Sequence, residues 1–161
     1  MKRLILGIIV GLVAGITLGV GISAHSQVKT APAAPQSPTI AQLLTLVNAE
    51  RTKNGVAPLT EDPRLDASAQ MKANDEVAYN YFGHVSTHDG KQGYLYINDT
   101  GISCKTDSEN LTENVNVNDA QHAVNAWILS SAHHTAMIDA KYTLTGFGIA
   151  NDQIVEHFCQ Q

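Results

Sequence analysis

A chain of 161 residues allows one domain with extra segments, and 43% apolar with 16% charged residues is enough to build a core. The formal charge is −5, and Lys2 and Arg3 are the only charged residues among the first 26, so the remainder carries −7. No basic cluster survives there, which argues against nucleic acid as a partner. Two cysteines, Cys104 and Cys159, are too few for a disulfide scaffold and enough for one bridge.

Residues 1–26 read as an export element. Lys2-Arg3 start it, Leu4 to Ala24 is an uninterrupted, mostly apolar run, and Ala24-His25-Ser26 offers small residues at cleavage-site spacing. The run is also long enough to cross a bilayer, so a cleaved signal peptide and a retained membrane anchor both fit. Gly7, Gly11, Gly15 and Gly19 recur every four residues, a spacing that a glycine-rich signal core explains without helix pairing. Residues 27–38 (QVKTAPAAPQSP) hold three prolines and read as a linker. The reading places residues 39–161 outside the cytoplasm, extracellular or at the cell surface, touching membrane only through the N-terminal segment. In that compartment a Cys104–Cys159 bridge is the default.

A first helix is predicted from Thr39, with Gln42 completing a capping box and Ile40, Leu43, Leu44 and Val47 forming its apolar stripe; Asn54-Gly55 ends it. A second opens at Asp62-Pro63, a cap followed by proline at the first helical position. Leu65, Ala69, Ala73 and Val77 give it a narrow stripe of small residues suited to close packing. It stops around residues 80–83, and His84 follows directly. The segment VSTHDGKQG reads as an exposed loop, with His88 in solvent. Between Tyr94 and Val117 the pattern is weak.

The organising stretch is Ser108 to Ile138. Ala120, Ala123, Val124, Trp127 and Ile128 line one face of an amphipathic helix, with Asn118 as its cap and Trp127 as its core anchor. Glu109 and Glu113 precede this helix; Ser130, Ser131, His133 and His134 follow it. Finally, Thr143 to Ala150 and Gln153 to Cys159 read as two strands joined by an Asn151-Asp152 turn. Gly146 and Gly148 in the first strand would permit close approach by another element. Helices plus a C-terminal hairpin indicate an α+β domain.

Five segments in this order, AQLLTLVNAERTKNGVAPLTEDPRLDASAQ, NYFGHVSTHDG, SENL, AVNAWILSSAHHTAMI and KYTLTGFGIA, resemble the bacterial branch of the CAP superfamily, whose unit is also called the SCP domain. The resemblance runs from Thr39 to Cys159. It implies an α-β-α sandwich with a small antiparallel sheet between helical layers, and a cleft in which His84, Glu109 and His133 meet. Ser108 stands where the family usually has Gly, Ser130 stands where many eukaryotic members have a second cleft glutamate, and His134 replaces a frequent Arg as a lesser contributor. Two imidazoles and a carboxylate also form a His₂Glu metal set suited to Zn²⁺. Against it stands a cleft without metal, its three side chains hydrogen-bonded to one another or to water.

No H-E-x-x-H or G-x-S-x-G motif is present, and no general base beyond the three candidates is identifiable. With no catalytic motif to set against it, the resemblance implies a non-enzymatic exported binding module for a small ligand, lipid or envelope component. A metal-dependent extracellular hydrolase of peptidase type is the alternative.

Overall fold

The computed structural model describes residues 39–113 and 120–161. The export segment at 1–26, the linker at 27–38 and the Asn118 cap lie outside the described residues. Among those described, no helix is long and apolar enough to cross a membrane.

Helix α1 (Ile40–Lys53) begins as expected: the Thr39 hydroxyl accepts from the Gln42 N–H while the Gln42 side chain accepts from the Thr39 N–H. Asn54 closes it, and Gly55 then turns the chain at φ +73°. A short strand β1 (Thr60–Glu61) leads into α2 (Pro63–Tyr79), whose first turn is capped by the Asp62 carboxylate accepting from the Arg64 N–H at 2.9 Å. Asn80 ends α2 in the left-handed region at φ 51°. The weakly patterned middle holds two elements that periodicity did not disclose, α3 (Gly93–Asp99) and β2 (Thr106–Thr112). Then follow α4 (Ala120–Leu129), a second short helix α5 (Ser131–Met137), and the hairpin β3 (Leu144–Ala150) and β4 (Gln153–Gln160). Asn151 supplies the positive φ of the hairpin turn.

The sheet order is β1-β3-β4-β2. The β3–β4 and β4–β2 ladders are antiparallel, whereas β1 pairs parallel with β3, so the sheet is mixed and not wholly antiparallel. Strand β4 is central and covered on both faces, which is why its residues alternate between two cores. Ile154 and Phe158 pack with Phe147 against α1, α4 and α5, through Leu43, Val47, Trp127 and Met137. Val155 and Cys159 face the opposite way, toward Leu65, Ala69 and Ala73 of α2 and Ile97 of α3. The arrangement is the expected α-β-α sandwich. In α4, Ala120, Ala123, Val124 and Trp127 are buried as the spacing predicted, with Ile128 partly so.

Gly146 and Gly148 explain how α2 seats. A Cβ on Gly146 would run into Leu65 and the Asp66 backbone nitrogen, and one on Gly148 into the backbone of Ala69 and Gln70. The helix lies flush on the strand because those side chains are missing.

Cys104 and Cys159 form the anticipated disulfide, with Cα atoms 5.4 Å apart across 55 residues of chain. It ties the entry of edge strand β2 to the central strand. Replacing both cysteines by serine should remove about 4 kcal/mol or less of stability, the upper figure being the chain-entropy value for a loop of this length. Urea unfolding of both forms measures it, and an unchanged midpoint would show that packing alone holds β2.

Candidate functional site

Glu109 lies in edge strand β2, directly opposite His157 of β4. Both residues face the α2–α3 side of the sheet. The His157 Nε2 lies 2.9 Å from Glu109 Oε2, and the other oxygen, Oε1, lies 2.7 Å from His84 Nδ1. One carboxylate is thus shared by two imidazoles, one fully buried (His157) and one with its side chain 59% exposed (His84). Gly93 makes room for this carboxylate: a Cβ there would come within 2.6 Å of Glu109 Oε2.

His84 is held by its backbone. The Gly93 N–H donates to the His84 carbonyl at 3.2 Å. Just before it, Gly83 is gripped on both sides by α2: Lys72 Nζ donates to its carbonyl at 2.6 Å, and its N–H donates to Glu76 Oε1 at 3.4 Å. Lys72 and Glu76 are paired at 2.7 Å and buried. Tyr81 OH completes the surroundings of the ammonium at 3.1 Å. Burial raises the Glu76 pKa, and the Lys72 hydrogen bond opposes that rise. Ser68, Lys72 and Glu76 therefore form a buried polar stripe on α2, beside the small-residue stripe read from the sequence.

His133 comes from the other side of the sheet. It lies in the first turn of α5, and Asn110, the residue after Glu109, donates from Nδ2 to the His133 carbonyl at 3.1 Å. Trp127 Nε1 of α4 likewise donates to the Leu111 carbonyl at 3.1 Å. Helices α4 and α5 are thus stitched to the same three residues of β2 that carry the carboxylate. His133 is close enough to His84 that their charges interact.

The electrostatics follow from these contacts. Burial pushes the Glu109 pKa up, but the hydrogen bonds from His157 and His84 outweigh it and hold the carboxyl below its ordinary range. The bond to Glu109 raises the His84 pKa, against burial. Burial lowers the His133 pKa, and the His84 charge adds to that. The His84–Glu109 ion pair therefore contributes fully below pH 6.5, the ordinary histidine value, and its contribution disappears as pH rises through the raised folded-state value. With Glu109→Gln, the His84 titration followed by NMR should move down toward that ordinary value. An unmoved titration would show that Glu109 is not what raises it.

Of the residues chosen from sequence, His84 and Glu109 are in direct contact, and His133 is attached through its backbone to the neighbour of Glu109. Among the described residues no three His, Cys, Asp or Glu side chains are grouped to hold a metal ion, and both Glu109 oxygens serve histidines. His134 points elsewhere, its Nε2 lying 3.0 Å from Glu50 Oε1 of α1. Glu113 is exposed, and His88 stacks on Tyr79 at a ring distance of 3.8 Å, exposed as expected. His157 was missed. Its signal was a polar residue two places from both Val155 and Cys159 in the strand QIVEHFC, which sets its face without naming a partner.

Ser68, His157 and Glu109 make a Ser-His-acid sequence of contacts, with Ser68 Oγ 2.7 Å from His157 Nδ1. It cannot act as a nucleophilic triad in this form. Ser68 is fully buried on the sheet-facing side of α2, and its hydroxyl donates to the Leu65 carbonyl at 2.8 Å, so no substrate carbon reaches it.

Residues 44–160 match the family model for the cysteine-rich secretory protein family, CAP. YkwD of Bacillus subtilis, described as uncharacterized, is 33% identical over 121 residues, covering 74% of this chain and 46% of its own length. The chain thus spans less than half of that curated relative. Among solved structures, an extracellular SCP-domain protein of Bacillus anthracis superposes with a TM-score of 0.71 at 20% identity, over 76% of this chain and 40% of that one. An outer surface protein of Borrelia burgdorferi superposes with a TM-score of 0.67 at 21% identity, over 74% of this chain and 90% of that one. These two likenesses agree with the sandwich described above, and the family match extends over nearly the whole folded region: the chain belongs to the cysteine-rich secretory protein (CAP) family.

Proposed function

We propose that the chain acts outside the cytoplasm as a non-enzymatic binding module whose cleft is built on His84, Glu109 and His133. The observation that carries this reading is the sharing of Glu109 between two imidazoles. A carboxylate committed at both oxygens orients histidines; it is poorly placed to serve as a general base. The location is supported by the Lys2-Arg3 apolar start and by the descriptions of the two solved neighbours as an extracellular and an outer surface protein. The occupant of the cleft is a small ligand, a lipid or envelope component, or a divalent metal such as Zn²⁺.

The His₂Glu set fits a metal only in part. With Nδ1 of His84 bonded to Glu109, the nitrogen left for a ligand is Nε2, and the carboxylate stands behind the ring as an orienting group. His84 and His133 would hold the metal, and the lowered pKa of His133 keeps that ring neutral and able to bind near pH 7. A bound divalent ion would supply a positive centre for an anionic or carbonyl-bearing ligand.

Zinc calorimetry tests this reading. At about pH 7.5 wild type should bind, His84→Ala and His133→Ala should lose most binding, and Glu109→Gln should lose about 10- to 100-fold. Binding should weaken at about pH 5.5, where the imidazoles protonate. Equal affinity in wild type and His133→Ala removes the metal from the proposal. Turnover of a peptide or ester panel, abolished both by chelation and by His133→Ala, would replace the binding module with the hydrolase.

A further inference from the structure

The sheet face opposite His157 holds a carboxyl that the cleft does not use directly. Glu156 of β4 is fully buried on the α1–α4–α5 side, between Phe147 on β3 and Asn110 on β2 in the ladder register. Each of these two cross-strand neighbours has an acceptor that lacks a donor among the described residues: Glu156 Oε2 and Asn110 Oδ1. The Asn110 amide cannot turn round to relieve this, because its Nδ2 donates to the His133 carbonyl. A flipped amide would set oxygen against oxygen there.

The other carboxyl oxygen fares little better. Thr145 Oγ1 lies 3.1 Å from Glu156 Oε1 and 3.1 Å from the His157 carbonyl, and it has one proton for both. Arg51 on α1 is the charged group acting on this carboxyl, but its guanidinium donates to main-chain carbonyls. An ionised Glu156 would therefore sit fully buried with only the Thr145 hydroxyl and the Asn110 amide as donors and with Oε2 unserved, a costly state. One added proton resolves the shortage, giving Oε2 a hydrogen to donate and Asn110 Oδ1 a hydrogen to accept.

We propose that Glu156 is folded as a neutral carboxylic acid whose Oε2–H donates to Asn110 Oδ1, and that this bond makes Glu156 a positioning residue for His133. The chain of contacts runs Glu156, Asn110, His133 carbonyl, and so reaches the first turn of α5. Burial moves the Glu156 pKa up to about 8, against the contributions of Thr145, Asn110 and Arg51. Other ionisable groups on the elements around it are His133, reached through Asn110, Tyr142, stacked on Phe158, and His157, on the reverse face of β4. The positioning role rests on the reading that His133 belongs to the cleft; the protonation of Glu156 does not.

The test uses the full chain, with ¹³C-labelled glutamate and labelled main-chain carbonyls followed by NMR against pH. The Glu156 side-chain carbon should hold its neutral-acid position through pH 7 and move with a midpoint near 8. The His133 carbonyl should move with the same midpoint, and stay flat in Glu156→Gln, whose amide donates at every pH. Denaturant unfolding gives a second reading. An acid whose folded pKa is raised loses its stabilising share as pH climbs from the ordinary carboxylate range to the folded value. The folding constant of Glu156→Gln should thus gain on wild type by up to about tenfold per unit between pH 5 and 8. Glu156 titrating with the exposed carboxylates, or a wild-type-to-Gln ratio that does not change with pH, overturns the neutral acid. A His133 signal that stays still while Glu156 titrates overturns the positioning role. If Glu156→Gln does not fold, the wild-type titration decides alone. Failure of zinc binding leaves both readouts standing and concerns the cleft reading only.

Discussion

Gly148→Ala should destabilise the protein by about 3 kcal/mol, a large share of the stability of a domain this size. The added methyl would be driven into the backbone of Ala69 and Gln70, so α2 must lift off β3. The effect would not stay local. Ser68, one residue before Ala69, lies 2.7 Å from His157, and Lys72 grips Gly83 from the same helix. Lifting α2 therefore loosens the support of Glu109 and of His84 together. Because the atoms met are main-chain atoms, trimming the facing side chain gives no relief. Urea unfolding of Gly148→Ala and of Gly148→Ala with Ala69→Gly measures this. Substantial recovery in the double variant would mean that the side chain of Ala69, and not the helix backbone, sets the contact.

Arg51→Met should cost about 3–5 kcal/mol. Arg51 is 1% exposed in α1, and its guanidinium donates to four carbonyls: Ala57 at 2.8 Å, Met137 at 2.7 Å, Asp139 at 3.1 Å and Tyr142 at 3.1 Å. Methionine fills the volume and leaves buried carbonyls without donors. Lysine should do little better, since one ammonium cannot span the fan that a planar guanidinium reaches. Three of the four carbonyls lie at the end of α5 and the loop after it, so this one side chain fixes the exit of the helix that bears His133. The measurements are denaturant unfolding and protease cutting near residues 137–142. A loss below about 1 kcal/mol would mean that water or relaxation satisfies those carbonyls.

The local chemistry of each strong element was legible in its residues. Thr39 with Gln42, Asp62 with Pro63, and Asn54-Gly55 each carry their cap in the sequence, because capping is decided within four residues. The apolar spacing of α4 and the Asn151-Asp152 turn were readable for the same reason. The glycines at 146 and 148 signalled a close approach, and the structure adds that α2 is what approaches. His84, Glu109 and His133 were identified through family resemblance, since 25 and 24 residues separate them and no periodicity joins them.

The rest depended on contacts between distant parts of the chain. Strand β2 has little apolar pattern of its own and exists because β4 pairs along its whole length. Helices α3 and α5 have seven residues each, too short for a periodic signal, and hold their place by docking. Lys72 and Glu76 stand four residues apart on α2; packing buries them, and the loop end at Gly83 is their partner. His157 and Glu156 are neighbours in one strand, yet pleating sends one to Glu109 and the other to the opposite core. Alternation along the strand told which residues share a face. Which helix covers each face, and hence which histidine meets the carboxylate, was settled by the stacking of the layers.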